Sequence, residues 1–500
     1  MRHIILLLCI GMACQVKAQN TDGDALFSAS TVHEVQLTFA SGTFYQDLLT
    51  AYQNDVYTMC GMTIDGVSYD SVGVKMKGNS SFNNPSQKKS LKIDMNEYVS
   101  GQTHDGLKKF NLNNGFKDPT MMREKLCFDF LIGHDIPAPR CTYANVYMNG
   151  QLWGFYSLVE EVNKDFLSRW FDDNDGNLYK GDPNGDLRWN GDQASNYTNK
   201  YEKETNETEN DWSDLIELVG DINNTSENDF GTTMNAVWDL PTVFGSWVGY
   251  NLFSSLDSYL GSGHNYFIYH DSTDLRWHWI NWDANEAFGT FTQGMNPTQL
   301  KQLSIFHISN PATNRPLYNR MLADAWMRQS YIDRYCEMAD AFSNELMDPV
   351  IDSLRAVIDP HIQADPNKMY SYDQFLQNID GDIISGGPVG GTIIGLKPFI
   401  SERRASVLAE LAQEDCANSV AEVAPSDALR VWPLPASGRI TVAYDKPFSQ
   451  ISVTDLEGRI VISQWSVPAL TVTADVSRLA PGIYFLSLDG SVSRPIAVVR

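Results

Sequence analysis

Apolar positions recur with a period of two in the first third of the chain and with a helical period further on. Around Val35, Leu37 and Phe39 apolar residues alternate with polar ones, which predicts a half-buried strand, and 44–52 predicts a short helix. Alternation returns at 72–77 and 90–95, and again at 144–148 and 152–159. The last two runs are joined by Asn149-Gly150, a strong hairpin turn. Asp118-Pro119-Thr120 introduces a helix over 121–132 that carries Met122, Leu126 and Phe130 on one face. Residues 172–211 are rich in Asp, Asn and Gly and predict exposed loop around one strand at 177–180. Helical patterns follow at 212–219, 241–256, 317–342, 346–358 and 398–411, the second opened by Asp239 as N-cap and Pro241 in the first turn. From Val431 onward short strands with Gly and Pro punctuation predict a β-sandwich module.

Composition fits globular material, with 43% hydrophobic and 20% charged residues, and 500 residues imply two to four domains. A net charge of −25 argues against nucleic acid or an anionic membrane as a bulk partner. Arg2 and His3 precede an apolar run at 4–12, and Val16-Lys17-Ala18 offers a small-residue cleavage site. Residues 1–18 therefore read as a signal peptide, with a lipoprotein signal ending at Cys14 as the alternative. No segment has the roughly 20 apolar residues of a transmembrane helix. The expected organisation is a flexible start at 19–31, a main domain at 32–415, a linker at 416–429 and the β-sandwich at 430–500. Cys60, Cys127, Cys141, Cys336 and Cys416 are scattered, which predicts neither a disulfide framework nor a structural zinc site. Cys127 and Cys141 flank one helix end and can pair; otherwise these are small buried thiols.

The chemistry concentrates between Asp239 and Gly289. A helix is followed by Asp257 in a Ser/Gly loop, then by Asn265, a strand, the turn at 271–274, a second strand, and Asp283. That order is the layout of a protein-kinase catalytic loop and its metal-binding Asp, where one carboxylate orients a hydroxyl and two oxygen ligands hold magnesium against phosphates. Taken singly, Asp257 caps a turn and Asp283 ends a strand. Earlier in the chain, Gly78, Ser80 and Ser81 sit between two strands, where a phosphate-covering loop belongs. Lys92 lies on the next strand as the nucleotide lysine, with Lys89 as competitor, and Glu124 on the following helix is placed to pair with it. The loop is not GxGxxG, and Lys92 and Glu124 are otherwise solvated charges.

VGVKMKGNSS, KKSLKI, GLKKFNLNN, MREKL, PAPR, VYMNGQLWGFYSLVEEVNKDFL, GNLYKGD, HNYFIY and NWDANEAFG resemble the CotH family of secreted kinase-like proteins, over roughly residues 32–412. The resemblance implies an atypical kinase-like fold that uses ATP and a divalent metal, Mg2+ or Mn2+, to phosphorylate Ser in proteins, often basic and Ser-rich ones. It implies Asp257 as the catalytic Asp, Asn265 and Asp283 as metal ligands, Lys92 as the nucleotide lysine, and Glu160 and Glu161 at the hinge. Two features depart from the pattern. Asn285 stands where the family has a second Asp, which bears on a second metal ion. Asp257 also lacks a His-Arg-Asp context and lies eight residues before Asn265, against five in ordinary kinases.

Near the end of the chain, VWPLPA, VTDLEGR and LAPGIYF resemble a type IX secretion sorting domain, which implies export across the outer membrane of a Bacteroidetes-type bacterium. The alternative is a sandwich used for adhesion. Acidic and amide residues at 172–192 suit calcium in composition but fail the EF-hand register, and His264, His270 and His278 lack zinc spacing. The density of Trp277, Trp279 and Trp282 predicts core packing. The fold class expected is α+β: a two-lobed protein-kinase-like fold followed by a small all-β sandwich. The expected function is an exported protein-Ser phosphotransferase that acts on a protein substrate and meets the secretion machinery through its C-terminal domain. The alternative is a catalytically silent surface adhesin or scaffold, since a protein sent outside the cell meets little ATP.

Overall fold

The computed structural model describes residues 20–28, 31–309, 311–385, 391–414, 416, 429–434, 436, 438–454, 460–480, 482–488 and 492–498. The expected signal peptide and residues 417–428 of the expected linker lie outside them. The chain forms two compact units, 1–416 and 417–500.

In the first unit, seven strands close into a barrel. They are β1 (Val32–Thr38), β2 (Thr58–Ile64), β3 (Val67–Lys77), β4 (Ser90–Asp94), β5 (Lys109–Asn113), β6 (Cys141–Met148) and β7 (Gln151–Glu160). The spatial order is β1-β2-β3-β4-β5-β7-β6, and β1 closes the ring by pairing in parallel with β6 while the other pairs are antiparallel. Alternation in β1 puts Val35 and Leu37 inside, where they meet Met62, Ile64, Val74, Leu91, Ile93, Leu112 and Leu158. A closed sheet of seven strands was not expected from the patterning. Two of its strands, β2 and β5, were not read as strands at all.

A mainly helical body follows, built around Leu240–Leu252, in which every residue but Pro241 is buried. Its buried Asn251 accepts from Tyr335 (2.7 Å) and Arg403 (2.7 Å). A four-stranded sheet in the order β11-β10-β8-β9 belongs to this body: β8 (Asn177–Gly181), β9 (Tyr201–Lys203), β10 (Tyr266–His270) and β11 (Trp277–Asn281). Trp279 is fully buried and stacks on Tyr266 at 4.4 Å between ring centroids. The expected single helix over 317–342 is two, Pro316–Ala323 and Ala325–Ala341, because Asp324 leaves helical geometry and caps the second through Met327 N (3.0 Å). A short hairpin, β12 (Ile383–Ser385) and β13 (Gly391–Ile393), precedes the last helix, Leu396–Leu411.

The cysteine expectation is corrected. Cys336 and Cys416 form a disulfide across 80 residues, with Cα atoms 6.0 Å apart, while Cys127 and Cys141 are separate buried thiols. Wide spacing in sequence hid two residues that the helical packing brings together.

The second unit is all β: β14 (Arg430–Trp432), β15 (Arg439–Thr454), β16 (Ile460–Asp475), β17 (Gly482–Leu488) and β18 (Val492–Val498). Strands β15 and β16 are longer than expected and pair with register shifts around Phe448. Val442, Phe448, Ile451, Leu486 and Ile496 fill its core. No helix among the described residues is long and apolar enough to cross a membrane.

Candidate functional site: a charged cleft in the first unit

Between the barrel and the helical body lies a cleft of about 550 Å³, within the roughly 300–1,000 Å³ range of small-molecule sites. Gly78, Ser80, Ser81, Lys92, Glu124, Asp257, Asn265 and Asp283 all line it. Residues far apart in sequence are thus brought to one place. Glu160 is not among the lining residues, and its expected place as a cofactor-binding residue is corrected. Its buried carboxylate is taken up by Arg140 (2.6 Å) and Arg169 (2.7 Å). Strand alternation turns the neighbouring Glu161 into the cleft instead.

On the body side, the backbone sets the carboxylates. Asn265 and Asp283 both take left-handed conformations, φ 58° and 57°, at the two ends of the β10–β11 hairpin, and Trp282 N donates to Asn265 O (3.1 Å). The hairpin therefore fixes the two side chains relative to each other. Asn265 Nδ2 donates to Asp257 Oδ2 (3.0 Å) and to the Asp257 carbonyl (3.0 Å), so its Oδ1 keeps its lone pairs. His264 Nε2 bonds Asp257 Oδ1. Burial disfavours the imidazolium, but the Asp257 carboxylate outweighs it and raises the His264 pKa. Asp283 has no hydrogen-bond donor or ion-pair partner among the described residues. Its pKa is raised, first by burial, against the pull of Lys77.

On the barrel side, the expected Lys92–Glu124 pair is not formed. Lys92 Nζ lies 2.6 Å from Glu161. Glu124 sits on the helix Arg123–Ile132 and accepts both amide contacts from Asn113 (3.1 and 3.0 Å). Burial, reinforced by Asp283, pushes its carboxyl up to about 8. Burial would also raise Glu161, but Lys92 and Lys77 hold it at about 2. The competitor Lys89 does not line the cleft; it spends its ammonium on the carbonyls of Phe82 and Asn84.

The residue missed by the sequence reading is Lys77, the last of β3. Its ammonium donates to Asn111 Oδ1 (2.8 Å) and lies 5.1 Å from the centroid of the Trp282 ring. Lys92, Lys117 and Lys180 each have a carboxylate partner, whereas Lys77 has no ion pair among the described residues. Burial lowers its pKa against the pull of Glu161 and Asp283. The signal was its place immediately before Gly78. That glycine has φ 91°, and a Cβ there would run into Ser81 Oγ, so the chain turns sharply just past Lys77, which lines the cleft.

The acidic loop residues find protein partners: Asp186 pairs with Lys200 (2.9 Å), and Asp182 pairs with Lys180 (2.8 Å) where both line the cleft. The three histidines diverge. His264 faces Asp257, His270 meets Asp214, and His278 joins Asp271 and Asp274, whose carboxylates cap the hairpin turn at Thr273 N and Arg276 N.

A mixed α+β body around a lysine- and carboxylate-lined cleft, with a separate all-β unit, is the class that fold and site define. The chain belongs to the CotH kinase protein family, whose model matches residues 74–407. Residues 430–495 match a secretion system C-terminal sorting domain, which marks the protein for type IX export in a Bacteroidetes-type bacterium. It is 26% identical over 295 residues to an inner spore coat protein H of Bacillus subtilis, covering 58% of this chain and 77% of that protein. It is also 21% identical over 371 residues to the invasin CotH3 of Rhizopus delemar, covering 70% of this chain and 62% of that one.

Proposed function

We propose that this protein is an exported phosphotransferase that moves the γ-phosphate of ATP to Ser hydroxyls of proteins. The supporting observation is the opposition, across one cleft, of a carboxylate set on a hairpin and a recessed lysine with no ion pair among the described residues. In the step, the Ser oxygen bonds to the γ-phosphorus, the bond from that phosphorus to the β–γ bridging oxygen breaks, and ADP leaves. Asp257 orients the hydroxyl and takes its proton. Both of its carboxylate oxygens are already held, by His264 and Asn265, so its direction is set before substrate arrives.

The donor set suits Mg2+ or Mn2+, which take hard oxygen ligands. Asn265 keeps Oδ1 available, and Asp283 is a recessed carboxylate with no donor among the described residues. When bound, the ion neutralises phosphate charge. We assign the phosphate contact to Lys77, which has no ion pair among the described residues; Lys92, held by Glu161 as the lysine of a kinase Lys–Glu pair is, is the alternative.

The test is labelled ATP with Mg2+ or Mn2+, offered to the purified full chain together with a basic, Ser-rich protein. Transfer is expected, and Asp283→Ala is expected to lower it by about a hundredfold or more with the fold intact by circular dichroism. Absence of both self-labelling and a nucleotide-dependent thermal shift overturns the proposal. The similarity to an invasin of Rhizopus favours a second reading, a surface protein that keeps the cleft without turnover. In that case Asp283→Ala leaves binding of cells to surfaces unchanged.

A further inference from the structure

A second cavity, of about 460 Å³, lies at the same junction of barrel and body. One wall is the barrel loop with Pro85 and Gln87; the other is Pro366, Met369 and Tyr370, after the helix Asn344–Ala364. Phe116 lines both this groove and the charged cleft. Its carbonyl accepts from Asn285 Nδ2 (3.1 Å), so the wall shared by the two is tied to the segment that carries Asp283.

The walls are fixed before anything binds. Lys88 Nζ lies 2.7 Å from Asp365 Oδ2, with both side chains almost wholly buried, and the same oxygen accepts from Phe155 N (3.1 Å). Asn367 Nδ2 donates to Trp153 O (2.7 Å), and Ser86 Oγ reaches Asn367 O (3.4 Å). These bonds tie loop 84–88 to segment 365–370, so filling the groove does not have to order its walls.

The groove is far less charged than the cleft. Lys368 is the one charged residue of its lining among the described residues, and its ammonium is spent on the carbonyls of Gln363 (3.3 Å) and Asp365 (2.8 Å). Pro85, Pro366, Met369, Tyr370 and Phe116 give it an apolar stretch among uncharged polar residues such as Asn84 and Gln87, and Phe116 makes it a neighbour of the polar cleft.

We infer that this groove is an acceptor subsite, which takes a large apolar side chain of an extended polypeptide whose Ser lies in the cleft. The inference rests on the phosphotransferase reading for the role of that Ser. The groove itself selects a Leu, Met or Phe side chain close in sequence to it. Specificity then has two parts, an acidic cleft rim that tolerates a basic background and an apolar groove that sets the register.

The probe is a set of short fluorescein-labelled peptides, each with one Ser in a Lys-containing polar background and a single Leu moved stepwise away from the Ser. Anisotropy with the full chain should show one Leu position binding about tenfold tighter than the Leu-free peptide. Met369→Asp on the wall and Pro366→Asp on the exposed rim should each abolish that gain. The ATP–Mg2+ thermal shift should stay as in the parent protein, which also certifies the fold. Equal binding of every peptide, or a gain that survives both variants, overturns the subsite. A Leu-dependent gain without any nucleotide shift keeps the groove and sinks the phosphotransferase reading instead.

Discussion

At the residue scale, two cations that line the cleft have different surroundings. Lys92 is held by Glu161 and Lys77 is not. Lys77→Met is therefore expected to weaken ATP–Mg2+ binding by about tenfold or more, read as a loss of nucleotide-dependent thermal shift. Lys92→Met should act chiefly by stranding Glu161 in a buried site, lowering the melting temperature without nucleotide. Glu124 gives a second test. In the fold its carboxyl keeps its proton up to about 8, against an ordinary value of 4.5. Its contribution to stability is complete below the unfolded value and fades as pH rises through the folded one. Thermal midpoints measured across that window should fall with rising pH, and Glu124→Gln should flatten the slope. An unchanged slope would remove Glu124 as the cause.

At the scale of elements, what the sequence makes legible is local order, and what it hides is closure. The β10–β11 hairpin with Asp257, Asn265 and Asp283 around it stands in the primary pattern, because each signal there is a neighbour of the next. The barrel does not, because β1 closes on β6 through pairs more than a hundred residues apart, such as Val35 with Val146. The partner of Lys92 fails for the same reason. A helix analogy pointed to Glu124, but β7 runs beside β5 and brings Glu161 closer. Glu160 was misplaced by a single step in a strand, which moves a side chain to the other face. The disulfide belongs here too. It ties the helix Ala325–Ala341 to the chain just past Leu396–Leu411 and closes a loop of 80 residues. Loop-closure entropy makes that worth about 4 kcal/mol. Reduction, or Cys336→Ser, should lower the thermal midpoint of the first unit in calorimetry and leave the second unit's transition in place.

For the whole molecule, the net charge of −25 becomes a statement about partners rather than about nucleic acid alone. If acidic surfaces draw in basic acceptor proteins, raising salt from low to near-molar concentration should raise the KM for a basic protein acceptor several-fold. Screening lengths shrink to about 3 Å under those conditions. Transfer to a neutral Leu-containing peptide should change much less, which separates long-range attraction from the fit of the groove. The sorting domain carries the address, and the first unit carries the charged cleft.

That division gives the Cys336–Cys416 bond a further meaning. Bonds of this kind persist in oxidising surroundings and are kept open by the thiol pools of the cytoplasm. Before export, the end of the first unit hangs on noncovalent packing alone; after export it is sewn shut at the last residue of that unit. The molecule thus carries its own timestamp. Thiol-reactive tags should label Cys336 and Cys416 in unfolded protein recovered from inside the cell and miss them in protein recovered from outside.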